Sequence, residues 1–268
     1  MSRFVIFAKG NLDLKDSLHS LNIGGELLWN GLNEIVRMRF PGTTIRLRHE
    51  TWTRSDALLT CAGEVPIQLS GKSLALGAYS LPSQFSRALF ETSADVYVLS
   101  LQPDVTTSMC SNRVDGHLFY PDNFENWPIE DQLWLRQHYI RAPALDVEQS
   151  MRNFERIIEL IQSRSDAPIL IYNLSAVIPG EWVHSYRGLG EIFSARIRNF
   201  NVGLLDISRR TGISIVDVDM IFARSGADRL KIDAVHLTAE GCRLVAEEVV
   251  RVLEDLGLFA RTESPACS

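Results

Sequence analysis

Short apolar runs alternate along the chain with longer segments in which apolar residues recur at helical spacing. Strands separated by helices need crossover connections, which favour a mostly parallel sheet covered by helices on both faces. The predicted strands are residues 3–8, 43–48, 94–101, 168–173 and 213–219. The sequence therefore predicts an α/β fold, a three-layer α/β/α sandwich built on a five-stranded parallel sheet.

The intervening segments carry the start and stop signals of helices. Helices are predicted over 25–40, from a capping box of Asp146 with Gln149, over 188–210 up to Gly212, and after an N-cap at Thr238. Functional sites in sheets of this kind gather beyond the carboxyl ends of the strands. The segments that follow the predicted strands are therefore the places where candidate site residues are expected.

Composition excludes several classes of protein. Apolar residues make up 46% and charged residues 22% of the chain, which are ordinary globular values. The net charge of −6 argues against a nucleic-acid partner. The four cysteines show no CxxC pair, the N-terminus lacks the apolar stretch of a signal peptide, and no run is long enough to span a membrane. We expect a cytoplasmic protein with no membrane partner; its oligomeric state is left open.

The sequence predicts a single domain followed by a short tail. Residues 1–260 are expected to form one domain, and 261–268 a flexible tail. The long aromatic and proline-containing stretch 103–145 is expected to be an insertion that packs as a lid over the carboxyl edge of the sheet, supplying an aromatic roof that excludes water.

The sharpest local signal is the sequence Asp233-Ala-Val-His236 just before the last predicted helix. A carboxylate three residues before a histidine on a loop can hydrogen-bond one ring nitrogen and fix the tautomer. The other ring nitrogen is then free to act as a base. Such pairs are common in loops, and it is the position after the fifth strand that marks this one as a candidate site.

The stretch DAVHLTAEGCRLVAEEV (233–249), at the end of a chain of alternating strands and helices, resembles the last block of the SGNH (GDSL-type) hydrolases. These are esterases and acyl transferases with a flavodoxin-like three-layer sheet. The resemblance implies that His236 is the general base and Asp233 its orienting carboxylate. It also implies a fold of the SGNH type over nearly the whole chain.

The first block of that family differs here. A family member would carry a Gly-Asp-Ser nucleophile directly after the first strand, whereas this chain has Gly10-Asn11-Leu12-Asp13. An Asp-Ser-Leu sequence follows a few residues later, with Ser17 as its serine. We predict Ser17 as the nucleophile, presented to His236 by a folded-back loop, and the alternative is that Ser17 belongs to a loop or helix cap.

The second and third blocks differ as well. Thr51 and Thr53 lie where the family has a glycine, and with Asn11 they mark backbone N–H groups near 10–13 and 51–53 that would bind an oxyanion. Asp104 occupies the place of an asparagine, although an ionised carboxylate cannot donate to an oxyanion; the alternative is a turn cap. Asn173 ends the fourth predicted strand and is a candidate substrate contact. Arg54 is read either as a substrate clamp or as a solvated surface residue.

The resemblance and the dyad together favour an SGNH-like hydrolase or acyl transferase that acts on an ester or O-acyl group of a small molecule or glycan. One alternative is a divergent SGNH-fold protein that only binds or acts as a scaffold. Another is a biosynthetic tailoring enzyme that uses Asp104 and His236 for acid–base chemistry. The histidines are too scattered for a metal signature and no phosphate-binding glycine pattern is present, so no metal and no cofactor are expected.

Overall fold

A parallel sheet forms the middle layer of the structure, which is a computed structural model. It describes residues 2–185, 187–188 and 191–262, and for residues 261 and 262 it describes only the backbone. The tail predicted over 261–268 lies outside these residues from 263 onwards. In chain order the strands are β1 (Ser2–Gly10), β2 (Leu21–Ile23), β3 (Glu26–Trp29), β4 (Thr43–Thr51), β5 (Val96–Ser100), β6 (Cys110–Asn112), β7 (Leu118–Phe119), β8 (Tyr139–Arg141), β9 (Ile169–Tyr172) and β10 (Ser214–Val216).

The helices surround this sheet. In chain order they are α1 (Leu12–Leu14), α2 (Leu32–Arg39), α3 (Ser55–Thr60), α4 (Ile67–Ser70), α5 (Leu81–Gln84), α6 (Ala88–Glu91), α7 (Gln102–Thr106), α8 (Ile129–His138), α9 (Val147–Gln162), α10 (Phe193–Thr211), α11 (Val218–Ser225), α12 (Ala227–Leu230) and α13 (Ala239–Asp255). A π-helical turn over Lys15–His19 continues α1, and 3₁₀ turns cover Phe124–Asn126 and Phe259–Thr262. No helix within the described residues is both long and apolar enough to cross a membrane.

The five predicted strands pair in parallel in the order β10-β9-β5-β1-β4, which confirms the predicted sheet. The chain runs from β1 outward to β4 and then returns to the other side of β1 as β5. The strand order therefore reverses between β1 and β5, and the crevice beyond their carboxyl ends is where ligands bind in open α/β sheets.

Alternate residues of β1 face the two helical layers, as the two-residue period of a strand requires. Ile6 and Ala8 pack in one core with Val245 of α13, whereas Phe7 packs in the other core with Phe154 of α9. The helices α2 and α13 cover the first face, and α9 and α10 cover the second. The capping box of Asp146 with Gln149 and the N-cap at Thr238 are both present as predicted.

The helix predicted over 25–40 is wrong in its first part. Residues 21–29 form an antiparallel hairpin of β2 with β3, and α2 begins only at Leu32. Gly24 and Gly25 both have positive φ, which is the backbone of a tight hairpin turn that glycine adopts without strain. The turn chemistry of this Gly-Gly pair overrides the helical spacing of the leucines that follow it.

Gly31 fixes the passage from this hairpin into α2. Its φ is +81°, and a Cβ there would lie 1.9 Å from the carbonyl oxygen of His19. We expect Gly31→Ala to lower the free energy of unfolding by about 2–5 kcal/mol, since it adds a left-handed residue and a clash with backbone. Gly42→Ala is the matched control, because Gly42 has a φ of +85° and open space around it. Gly42→Ala should lower the free energy of unfolding by about 1–2 kcal/mol, measured by urea unfolding. Equal decreases for the two variants would contradict the steric argument.

The stretch 103–145 contains a small antiparallel sheet of its own, in the order β7-β6-β8, together with α8. Its aromatic side chains pack largely on one another: Phe119 contacts Trp127 and Tyr139, and Trp134 also contacts Tyr139. Tyr120 contacts Tyr79, which lies outside this stretch, just before α5. That this insertion acts as a lid stays a prediction.

Candidate active site

The sequence Asp233-Ala-Val-His236 forms a tight turn after β10, between α12 and α13. The turn is closed by its own carboxylate: Asp233 Oδ1 accepts the backbone N–H groups of Val235 and His236, each at 2.8 Å. Asp233 Oδ2 lies 2.7 Å from His236 Nδ1. The predicted hydrogen bond of this pair is therefore present. Both side chains are about half exposed, so the imidazole is open to solvent.

Hydrogen bonding keeps Asp233 ionised. The small burial of this carboxyl acts to raise its pKa, but the bonds from the His236 ring and from the two backbone N–H groups lower it to about 2. An ionised carboxylate only accepts hydrogen bonds, so Nδ1 of His236 carries the proton and Nε2 is left as an acceptor. The pair thus has the tautomer that a general base requires.

A narrow cleft opens beside this turn, at the carboxyl edge of the sheet. It is small, with a volume of about 30 Å³, and it is partly open to solvent. Its lining includes six residues whose contacts are known, namely Asp13, Gln102, Asn173, Ser175, Lys231 and Val235. The cleft therefore joins the ends of β1, β5 and β9 to the turn that holds the dyad.

Asp13 was missed by the sequence analysis and stands at the centre of this edge. It follows β1 by three residues, lies in α1, and its Oδ2 accepts a hydrogen bond from Ser100 at the end of β5. Burial raises the pKa of Asp13 to about 6, although the Ser100 hydroxyl and the nearby backbone N–H groups of Leu14 and Asn11 act against the rise. Its other oxygen, Oδ1, is buried and has no hydrogen-bond partner in the structure. The signal that could have found it is a carboxylate directly after the first strand.

Ser17 lies on the same helical segment but not in the cleft. Its side chain is fully buried, and its hydroxyl donates to the carbonyl oxygen of Asp13 at 2.6 Å and contacts the Tyr172 hydroxyl at 3.3 Å. Within the described part of the chain no hydrogen bond joins Ser17 to His236. The loop that was expected to fold back is helical instead, which turns this serine into the protein. The arrangement does not support Ser17 as an accessible nucleophile.

The residues expected near the oxyanion are largely engaged in the fold. Asn11 caps α1 by accepting the N–H of Leu12 at 2.8 Å and also accepts from the Tyr79 hydroxyl. The Thr51 hydroxyl donates to the carbonyl oxygen of Ala78, and Thr53 is buried. Since Leu12 N–H is held by the cap, it is not available to an oxyanion in this arrangement.

Arg54 is neither a substrate clamp nor a surface residue. It is buried, and its guanidinium forms a two-pronged contact with Asp56 at 2.8 and 2.7 Å and donates to the carbonyl oxygen of Pro143. The neighbouring backbone N–H of Trp52 donates to Gly10. The segment after β4 is therefore held by hydrogen bonds to Gly10 at the end of β1 and to Pro143.

Asp104 is a structural residue in this arrangement. Its Oδ1 accepts the backbone N–H of Ser55 at 2.7 Å, and its Oδ2 accepts the hydroxyls of Ser55 and Ser150 at 2.5 and 2.6 Å. Burial raises its pKa to about 6 against these bonds. The carboxylate thus joins the start of α3 to α9, and no hydrogen bond within the described residues joins it to His236. This position does not support the alternative in which Asp104 and His236 form an acid–base pair.

Asn173 lies in the wall of the cleft, at the end of β9. Its amide donates to Asp217 at 2.8 Å and its oxygen accepts the backbone N–H of Asp219 at 3.1 Å. These bonds hold the start of α11 against the end of β9. Asn173 therefore shapes the cleft, and its contact with a substrate stays a prediction.

Lys231 is a second lining residue that the sequence analysis missed. Its ammonium is buried and donates to the carbonyl oxygens of Val177 and Ser175 at 2.7 and 3.3 Å. Burial lowers its pKa to about 8, while the charges of Asp219 and Asp233 act against the fall. The cleft therefore contains one fixed cation. No group of three or more metal-ligating side chains occurs among the described residues.

Comparison with known proteins supports the fold. No protein-family model and no curated protein matches the chain. Among solved structures, the chain is similar to LAE5, an alpha/beta hydrolase from the metagenome of Lake Arreo, with a TM-score of 0.55, 11% identity and coverage of 94% of this chain and 96% of that one.

Two further similar structures are named as an esterase and as a lipase/acylhydrolase in their titles. One is a mutant of Axe2, an acetyl-xylooligosaccharide esterase from Geobacillus Stearmophilus, with a TM-score of 0.53, 10% identity and coverage of 92% and 93%. The other is a lipase/acylhydrolase from Enterococcus faecalis, with a TM-score of 0.51, 12% identity and coverage of 96% and 97%. At this identity the similarity concerns the fold. It supports the α/β fold with a five-stranded parallel sheet that the sequence predicted.

Proposed function

We propose that the chain is an esterase-type hydrolase or acyl transferase of divergent SGNH type, acting on an ester or O-acyl group of a small molecule or glycan. The observation that carries the proposal is the His236–Asp233 pair, with its 2.7 Å hydrogen bond at the carboxyl edge of the sheet. The ionised carboxylate of Asp233 fixes the half-exposed ring of His236, and Ala234 and Val235 of the same turn line the cleft. The titles of the similar esterases support the same class of reaction.

The attacking group in this proposal is a water molecule or the hydroxyl of an acceptor, because Ser17 is turned into the protein. His236 Nε2 takes the proton of that hydroxyl as its oxygen bonds to the acyl carbon. Asp233 stabilises the imidazolium that forms. The bond from the acyl carbon to the leaving oxygen then breaks, and the imidazolium returns the proton to the leaving alkoxide. Water yields an acid and an alcohol, and an acceptor hydroxyl yields a new ester.

Acetate esters are the first substrates to examine, because one of the similar structures is titled an acetyl-xylooligosaccharide esterase.

A serine-directed fluorophosphonate probe separates direct attack from a serine nucleophile. We expect no covalent labelling of the wild type at Ser17, and hydrolysis of aryl acetate by Ser17→Ala to stay within about threefold of the wild type, because the buried hydroxyl takes no part. Labelling is read by intact-protein mass spectrometry. Stoichiometric labelling at Ser17, with loss of hydrolysis in a folded Ser17→Ala, would restore the serine mechanism. A wild type that hydrolyses no acetate ester overturns the proposed function.

A further inference from the structure

Two residues that line the cleft each have a buried acceptor oxygen without a hydrogen-bond partner, Oδ1 of Asp13 and Oε1 of Gln102. Buried polar atoms are nearly always paired in proteins, so each unpaired one needs an explanation. Both residues line the same cleft. Their common position points to a ligand that supplies the missing donors.

The two side chains are held in place by one serine. Ser100 Oγ donates to Asp13 Oδ2 and accepts the backbone N–H of Gln102 at 3.0 Å. Gln102 Nε2 donates to the carbonyl oxygen of Val235 at 3.4 Å. A carbonyl can only accept, so the nitrogen of the Gln102 amide lies on that side and its oxygen on the other. The acceptors are therefore fixed before any ligand arrives.

The charge of the cleft indicates which donor fits. An ammonium group would suit Asp13, but the buried ammonium of Lys231 lines the same cleft and would repel it. A neutral hydroxyl donates to the same oxygens without that opposition. A pair of neighbouring hydroxyls supplies one donor to each acceptor.

We propose that Asp13 Oδ1 and Gln102 Oε1 bind free hydroxyls of the alcohol part of the substrate, so that the substrate class is a partly acylated polyol or sugar. This inference rests on the proposed function, which it deepens by assigning the alcohol side of the ester. Asp13 and Gln102 are specificity-determining residues in this arrangement, and His236 remains the base.

A series of acetates with none, one or two free hydroxyls tests the assignment: propyl acetate, propylene glycol monoacetate and glycerol monoacetate. We expect kcat/KM of the wild type to rise by roughly tenfold or more for each hydroxyl, as a buried acceptor that loses its donor costs about that much. Asp13→Asn presents an amide donor in place of Oδ1 while it keeps an acceptor for Ser100. It should lose the preference for hydroxylated acetates. Gln102→Met, which removes the second acceptor, should lose the preference for the second hydroxyl.

Asp16→Asn is the matched control for the substrate preference, since Asp16 lies on the same helical segment but does not line the cleft. It should keep the wild-type order of the three acetates; the absolute rate is not part of this control, because the charge of Asp16 interacts with His236. Equal kcat/KM values for the three acetates in the wild type, or an unchanged preference in folded Asp13→Asn and Gln102→Met, overturn the inference.

Binding without turnover separates this inference from the proposed function. Glycerol monopropyl ether carries the two hydroxyls but no ester, and dipropyl ether carries neither. We expect saturation-transfer NMR to detect the first on the wild type and not on Asp13→Asn. If the wild type hydrolyses no acetate but binds this diol through Asp13, the proposed function fails and the hydroxyl site stands. Absence of diol binding to the wild type overturns the hydroxyl site whatever the hydrolysis result.

Discussion

Alanine in place of His236 is expected to lower kcat/KM for acetate hydrolysis by about 10³-fold or more, the usual contribution of a general base at the upper end of its range. The melting temperature should change little, because the imidazole is about half exposed and its only hydrogen bond among the described residues joins it to Asp233. Asp233→Asn should cost about 10²–10⁴-fold, since a neutral amide no longer fixes the tautomer or stabilises the imidazolium. Initial rates on glycerol monoacetate measure both effects.

The chain offers a matched control for these variants. His117 and Asp115 form a second histidine–aspartate pair, with Nδ1 and Oδ1 2.6 Å apart, on the small sheet of the 103–145 stretch. His117→Gln should leave hydrolysis within about threefold of the wild type if only the pair beside the cleft is used. A His236→Ala variant that retains more than a tenth of the wild-type activity contradicts the general-base assignment.

The second large effect concerns stability. Asp13→Asn is expected to raise the free energy of unfolding at pH 7 by up to ~3 kcal/mol, and to leave it nearly unchanged at pH 4. The pKa of Asp13 rises from 3.8 to about 6 on folding. Between these values the folded state binds more protons than the unfolded state, so the wild type loses stability as the pH rises through this window. A neutral amide removes that loss.

Asp104→Asn is the informative companion, because Asp104 is equally buried and its pKa also rises to about 6. Its carboxylate, however, accepts three hydrogen bonds from Ser55 and Ser150, and one amide oxygen cannot replace both carboxylate oxygens. At pH 7, Asp104→Asn should therefore raise the free energy of unfolding clearly less than Asp13→Asn does, or should lower it. Urea unfolding at pH 4 and pH 7 measures both variants. A larger gain for Asp104→Asn would contradict the claim that Asp13 is the under-satisfied carboxylate.

The central sheet could be predicted because its strands are short continuous apolar runs that only a doubly covered parallel sheet can bury. The hairpin at 21–29 was missed although Gly24-Gly25 is a recognised turn signal. The leucines after this turn recur at helical spacing, which by itself predicts a helix. A two-stranded ribbon of nine residues leaves too little periodicity to compete with an adjoining helix.

The candidate site was predictable only where its chemistry is local in sequence. Asp233 and His236 are three residues apart and close one turn, so their contact follows from spacing. The contacts of Asp13 with Ser100 and of Asp104 with Ser55 join distant segments at the ends of different strands. Whether a carboxylate there is under-satisfied or fully bonded depends on neighbours that no single sequence stretch contains. The Asp-Ser-Leu sequence around Ser17 misled for a related reason, since the helical path of 12–19 decides which side chains face the cleft.

The unpaired oxygen of Asp13 also has a practical consequence for finding ligands. Ser100 joins Asp13 to the middle of the sheet. A compound that donates a hydrogen bond to this carboxylate therefore removes the cost of an unpaired buried oxygen, and this cost exists only in the folded state. By mass action, a ligand at a hundred times its Kd adds about 2.7 kcal/mol to the stability of the folded protein. Thermal-shift screening of alcohol and sugar libraries is therefore a direct route to the natural alcohol, and it requires neither turnover nor a chromogenic group.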